Sequence, residues 1–301
     1  MIKSVITQKR LTAKLKSVLS PARIFHLRKS ASGSVSLLES PALSLPPLPQ
    51  TPARDFEPLE MGRYQVRLAN SIAERDAACR LRFKVFNIEL GEGLAASYKT
   101  GLDTDQFDLF CDHLIVEDRA SRNVVGTYRL QSGITAKQNL GYYSEQEFEF
   151  APYDRIRADV LELGRASIDR EHRSSEVLTL LWRGIVRYTR LYGLRYLIGC
   201  SSLTSNDPLA GWHIYRELTD HLVAPEFRTI PTLAFSLPSV DGSPENPPKI
   251  PKLLRTYVGV GAKICGPPAW DREFGTIDFL TLLDMRELTP AARVRFLVDT
   301  Q

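Results

Sequence analysis

The sequence predicts an α/β domain built on a mixed central sheet flanked by helices. Three observations carry that prediction. Apolar strand-like runs bracket two amphipathic helices between residues 64 and 286. Two strand runs, HLIVE at 113–117 and VVGTYRLQ at 124–131, are joined by a short polar turn, as in an antiparallel hairpin. A strand, a helix and a second strand then follow within residues 161–203.

Each element has its own signal. Val66–Asn70 reads as a short strand, and Ser71 with Glu74 three residues on reads as a capping box. The helix it opens runs through Ala77, Leu81, Val85 and Phe86, and a polar, Gly-containing loop continues to about Phe110. After the hairpin, Leu161–Ile168 reads as a strand. Val177, Leu181, Ile185 and Tyr188 then mark one face of a helix over 177–192, which Gly193 ends. The run RYLIGCSSL at 195–203 and the segment 274–285 are the remaining strands. No internal repeat is found.

The 301 residues allow one large domain with a tail, or two small domains. A hydrophobic fraction of 43% and a charged fraction of 25% are those of a globular chain. The formal charge of +4 is misleading, because residues 1–30 hold eight of the 39 Lys and Arg and no acidic residue. The remainder carries 31 basic against 35 acidic residues, a net charge of −4, so its charge implies no nucleic-acid partner. Residues 3–29 place Leu11, Leu15, Val18, Leu19 and Ala22 at helical spacing among lysines. Such a segment is compatible with a helix on an anionic membrane surface, with a disordered basic arm, and with an organellar transit peptide. Six prolines between 31 and 58 deny a helix there. The expected organisation is a basic amphipathic tail at 1–30, a Pro/Ser-rich linker at 31–60 and a folded domain at 61–290. The four cysteines stand singly among apolar residues, as in a reducing compartment. No apolar run is long enough to span a membrane, and no secretory signal is present, so a cytoplasmic location is expected.

Several chemistries are excluded. There is no G-x-S-x-G, no Walker loop and no H-E-x-x-H, and no histidine or cysteine has metal-ligand spacing. His113 and Asp118 spell H-x4-D, but residues five apart on a strand face opposite sides, so that match reads as accidental. A second set of residues is more informative. Arg82 and Phe86 lie four apart on the first helix and are expected to share a face. Asp103, Asp105 and Asp108 follow in the loop, then Arg129, Glu162 and Arg165 within strands. A charge on a helix or loop is usually solvated surface, whereas Arg129 and Glu162 sit among apolar strand residues, where a charge is rarely left without a partner. Together they predict an ion-paired pocket suited to a small zwitterion.

The ordered set Arg82/Phe86, Asp103/Asp105/Asp108, Gly126/Arg129 and Glu162/Arg165 resembles the acyl-homoserine-lactone synthases, which have the GNAT fold and use acyl carrier protein. A closer resemblance is to the L-ornithine N-alpha-acyltransferases, often labelled hemolysin-like. It rests on CDHLIV at 111–116, VVGTYRL at 124–130, GYYSEQEF at 141–148, ELGRASI at 162–168 and the stretch 259–284. The likeness covers roughly residues 64–286. It departs from the lactone synthases at Glu92, where they carry tryptophan.

The resemblance implies a GNAT fold whose splayed strands receive the pantetheine arm of an acyl thioester. The loop before the central helix would then present backbone N–H groups to phosphate. That loop, 169–175, has Ser174 and Ser175 where acetyl-coenzyme A users have glycines. Arg173, Ser174 and Ser175 are therefore expected to hold the single phosphate of an acyl carrier protein's phosphopantetheine, although Ser is also an ordinary helix cap. Glu162 is the candidate general base and Arg165 its catalytic neighbour. Arg82, Arg129 or Arg165 would bind the amino acid's carboxylate, and the three aspartates would receive the distal ammonium of ornithine or order the arginines. No permanently bound cofactor and no metal is expected. Acyl carrier protein is the expected co-substrate and partner, with an anionic membrane surface as a further one. The alternatives are another amino-acid acceptor, a lactone-forming reaction, and a non-catalytic membrane-binding or lytic protein.

Overall fold

The computed structural model describes residues 56–297. The basic helix expected at 3–29 and the expected linker up to residue 55 lie outside the described residues. Nine strands form the sheet: β1 (Leu59–Met61), β2 (Tyr64–Leu68), β3 (Asp112–Asp118), β4 (Asn123–Ser132), β5 (Val160–Ile168), β6 (Tyr196–Leu203), β7 (Lys263–Ile264), β8 (Ala269–Asp271) and β9 (Thr276–Asp284). Among the described residues six α-helices accompany them: α1 (Ile72–Phe83), α2 (Gly133–Gln138), α3 (Ser175–Leu191), α4 (Pro208–Glu217), α5 (Lys252–Val260) and α6 (Pro290–Phe296). The strand order is β1-β2-β3-β4-β5-β6-β9-β7, with β8 also paired to β9. The β5–β6 pair is parallel and the others are antiparallel, so the sheet is mixed as expected. Among the described residues no helix is long and apolar enough to cross a membrane.

The expected hairpin is β3–β4, closed between Asp118 and Asn123. His113 and Asp118 do not converge: His113 lies beside Asp108, and Asp118 pairs with Arg63 at the other end of β3. Helix α3 packs the predicted stripe onto the sheet, with Val177, Leu181 and Ile185 fully buried. The capping box at Ser71 forms in a modified way. Ser71 Oγ accepts from the N–H of Glu74, while the Glu74 carboxylate reaches back to the N–H of Asn70 rather than of Ser71.

Two boundaries differ from expectation. The stretch expected to be linker up to residue 60 already contributes strand β1, and Phe56 and Leu59 are buried in the main core. At the other end, α6 extends past residue 290 and buries Phe296 stacked on Trp182. Proline content set the linker expectation, yet two apolar side chains with a core to enter outweigh it. Phe56→Ala is accordingly expected to destabilise the protein by about 3 kcal/mol, as for other large-to-small core changes. A denaturant midpoint unchanged from the parent would place Phe56 outside the core.

Candidate active site

The site begins where two strands part. The β5–β6 ladder comprises three pairs, ending at Glu162–Ile198. One residue further on, Gly199 passes so near β5 that a Cβ there would lie 2.3 Å from the carbonyl oxygen of Leu163. Beyond it the strands diverge and open a cleft of about 800 Å³ through the sheet. On the α3 face the cleft is lined by Ser174, Ser175, Leu178, Lys252, Tyr257 and Arg295. On the other face it is lined by Phe86, Arg129, Tyr143, Ser144, Glu162 and Phe274, among others.

A bulge shapes the β5 wall. Thr127 pairs with Ser167 and Arg129 with Gly164, so Arg165 and Ala166 oppose the single residue Tyr128. Arg165 takes a φ of 52°, a left-handed conformation rare for a side-chain-bearing residue. Its guanidinium is thereby aimed over the ring of Phe274, 4.2 Å from the centroid. Arg165 lines the cleft, while its Nε is buried 3.8 Å from Asp103 and makes no hydrogen bond among the described residues.

Arg82, Arg129 and Arg165 form a closed array with Asp103, Asp105 and Asp108. Arg82 Nε donates to Asp103 at 2.9 Å, and its two terminal nitrogens donate to Asp108 at 2.7 and 2.9 Å. Arg129 donates to Asp105 at 2.6 Å, and Arg165 to the other oxygen of Asp105 at 3.1 Å. Asp105 also caps the following turn through the N–H of Phe107, while Asp108 returns to the N–H of Asp105. Burial pushes the Asp108 carboxyl up, but the Arg82 and Arg129 charges outweigh it and hold it well below the usual range. His113, beside Asp108, is pushed down to about 4 by burial and is neutral. With three positive and three negative groups the array neutralises itself.

This corrects part of the expected pocket. Arg82 is fully buried and does not line the cleft, and Asp103 and Asp108 are likewise in the interior. Arg82, near the end of α1, is buried in the array, and Phe86, in the π-helix over Lys84–Leu90 that follows, lines the cleft. Arg129, Arg165, Phe86 and Glu162 do come together at the cleft, and Asp105 bridges the two arginines from behind.

Glu162 occupies the apex where the strands part. Its carboxylate accepts from the N–H of Tyr143 at 2.8 Å, the N–H of Ser144 at 2.8 Å and the Ser144 hydroxyl at 2.6 Å. Burial pushes its pKa up, and these hydrogen bonds with the nearby Arg129 charge offset that only in part. The result is a carboxylate held in one orientation with enhanced proton affinity, as a general base requires. Burial also raises the neighbouring Cys200 thiol well above its ordinary range, so it is not a thiolate nucleophile.

On the α3 face, Ser174 is the helix N-cap, its hydroxyl accepting from the N–H of Val177. The ordinary capping reading therefore holds for this hydroxyl, while the 17-residue helix still directs its N-terminus at the cleft. Arg173 lines the cleft and pairs with Glu89 at 2.5 Å. Ser175 lines the same wall, and its carbonyl accepts from Arg295, a basic residue the sequence reading did not place there.

Sequence reasoning also missed Ser144, and it missed a group of three buried carboxylates, Glu147, Asp271 and Asp278. Their ligating oxygens lie within 4.8 Å of one another, close enough to hold a cation. Asp278 had a signal: it stands inside the apolar run TIDFLTLL, the same anomaly that singled out Arg129 and Glu162. Glu147 and Asp271 had none, since they meet Asp278 only through the fold.

Residues 81–183 match the family model described as an acetyltransferase (GNAT) domain. The chain is 32% identical over 246 residues to an L-ornithine N(alpha)-acyltransferase of Brucella abortus, covering 76% of this chain and 87% of that protein. It is 31% identical over 257 residues to the enzyme of the same name from Agrobacterium fabrum, covering 78% of this chain and 86% of that one. Among solved structures, the AHL synthase LasI superposes with a TM-score of 0.47 at 12% identity, over 80% of this chain and 100% of that one.

Proposed function

The chain belongs to the L-ornithine N(alpha)-acyltransferase family and is a GNAT-fold acyltransferase, and from that premise we propose that it moves a fatty acyl group, 3-hydroxylated or plain, from acyl carrier protein to the α-amino group of ornithine. The product is a lyso-ornithine lipid. The observation that carries this reading is the cleft itself, which runs through the sheet past a buried carboxylate. Its α3 face offers a helix N-terminus with Arg173, Lys252 and Arg295, suited to a phosphopantetheine phosphate. Its other face offers Arg129 and Arg165, suited to an amino acid's carboxylate.

The chemistry is a single displacement. The substrate ammonium gives one proton to Glu162, directly or through one water, and the freed amine attacks the thioester carbonyl. A backbone N–H of β5 beyond its last pair with β6 stabilises the tetrahedral oxyanion. The C–S bond then breaks, and the pantetheine sulfur leaves as the thiol with a proton taken from the amine nitrogen. Arg165 orients the acceptor through its carboxylate rather than exchanging protons, since an arginine stays charged.

The donor assignment follows from the 169–175 loop. A coenzyme A pyrophosphate needs close backbone approach at glycines, whereas Ser174 and Ser175 with Arg173 suit one phosphate. With purified protein, ornithine and matched acyl chains, kcat/KM is expected to be higher for acyl carrier protein than for coenzyme A. Mass spectrometry of the product should show acyl-ornithine. Equal or better use of the coenzyme A thioester would overturn the donor assignment, and absence of any acylated ornithine would overturn the acceptor.

A further inference from the structure

The cleft face that holds Glu162 ends on a second charged group that the reaction above does not use. Asp271 and Asp278 line it, and Glu147 lies directly behind them, all three nine-tenths or more buried. Their partners are only partial. Asp271 Oδ1 accepts from the N–H groups of Glu273 and Phe274. Glu147 Oε2 accepts weakly from the Cys200 thiol at 3.5 Å. The Asp278 carboxylate has the hydroxyls of Ser202 and Thr276 beside it. Oε1 of Glu147 and Oδ1 of Asp278 accept from no N–H or hydroxyl among the described residues. No Lys, Arg or His pairs with the three there, in contrast to the self-neutralised arginine–aspartate array. Burial pushes Asp278 up to about 6 and Glu147 well above its ordinary range; the Asp278 and Asp271 charges add to the rise at Glu147 and the Asp271 charge to that at Asp278, and Glu147 and Asp278 are hydrogen-bonded to each other.

Buried carboxylates in contact are neutralised by protons or paired with a cation, and a cationic ligand can take the place of those protons. We propose that Glu147, Asp271 and Asp278 form the subsite for the side-chain ammonium of the acceptor, and so select a diamino acid over a neutral one. Three single acceptor oxygens match the three N–H donors of an ammonium. The subsite adjoins the proposed carboxylate site, because Phe274 stacks under Arg165 and gives its own N–H to Asp271. Tyr143, whose N–H holds Glu162, also has its ring beneath Arg165 at 5.4 Å. An amino acid with its carboxylate at Arg165 and its α-amine at Glu162 would thus have an acidic wall within reach of its side chain. The inference rests on the proposed acceptor reaction and adds the determinant of its selectivity.

The test compares ornithine with 2-aminopentanoate, which has the same chain length and no distal ammonium, in both binding calorimetry and turnover. The parent is expected to favour ornithine. Asp278→Asn keeps the shape and is expected to weaken ornithine roughly 10- to 100-fold, mainly in KM, as for loss of a charge-assisted bond. Its use of 2-aminopentanoate should change less than about threefold, which also shows that the variant folds. Equal weakening of both acceptors, or unchanged ornithine binding, overturns the subsite. Loss of Mn²⁺ binding with unchanged ornithine affinity would overturn it in favour of a metal site. If Asp278→Asn does not fold, Glu147→Gln carries the same comparison. Selective ornithine binding by the parent without acyl transfer would sustain the subsite and overturn the reaction, so the two failures are distinguishable.

Discussion

Glu162→Gln is expected to lower kcat by about 10²–10⁴-fold, the range for removing a general base. The substitution keeps volume but not hydrogen bonding. Both carboxylate oxygens of Glu162 accept, one from Tyr143 and one twice from Ser144. Either placement of the Gln amide turns an NH₂ group toward a donor, so the 143–146 turn must shift locally. Far-UV circular dichroism should stay near the parent's, while stability falls by about 1–3 kcal/mol because a buried donor loses its acceptor. The pH profile gives a second readout. Burial raises the Glu162 pKa above the ordinary glutamate range. Catalysis needs the carboxylate, so activity should decline as pH falls through that raised value, and the residual activity of Glu162→Gln should lack this acid limb. A variant within a factor of two of the parent would remove Glu162 from the base role.

Arg82→Ala is expected to lower stability by about 3–5 kcal/mol, the cost of breaking a buried ion pair from one side. The reason is what remains. Asp103 and Asp108 are fully buried, and together they accept three of the Arg82 hydrogen bonds. Arg129 and Arg165 touch the same aspartates at 3.3 Å or more and cannot replace those bonds. Arg82→Lys keeps the charge but not the bidentate fork, so it should recover only part of the loss. Denaturant titration measures both variants. An alanine variant as stable as the parent but with a raised KM would mean that Arg82 binds substrate after all. That was the expectation from sequence, and the geometry gives Arg129 and Arg165 that position instead.

These two residues show how legibility in the sequence varied. Glu162 and Arg129 were visible because charges inside apolar strands violate the local pattern, and a violated pattern marks a site. Arg82 was visible as part of an ordered set, but its role was misread. Spacing along a helix tells which residues share a side, but not that Asp103 and Asp108 from the following loop would enclose Arg82 and keep it from the cleft. Helix α3 was found with nearly its true limits because its stripe is regular and Gly193 stops it. Helices α4 and α5 and the short strands β7 and β8 lie in the stretch 204–273, for which the sequence predicts no element.

What the sequence determined by itself was the class of sheet, the hairpin, the central helix and the ordered charges that mark the family, since these depend on periodicity and on neighbours a few residues apart. The tertiary structure decided which charges face the cleft and which only hold it in shape. Arg82 and Arg165 look alike in sequence, yet one is enclosed by two aspartates and the other lines the cleft from a bulge at φ 52°. It also brought together Glu147, Asp271 and Asp278 across more than 120 positions of chain. Periodicity reports only on which side of an element a residue lies. Which residues meet across the sheet is set by register, by the early parting of β5 from β6, and by the burial that leaves a carboxylate without a counter-charge, and these exist only once the chain has folded.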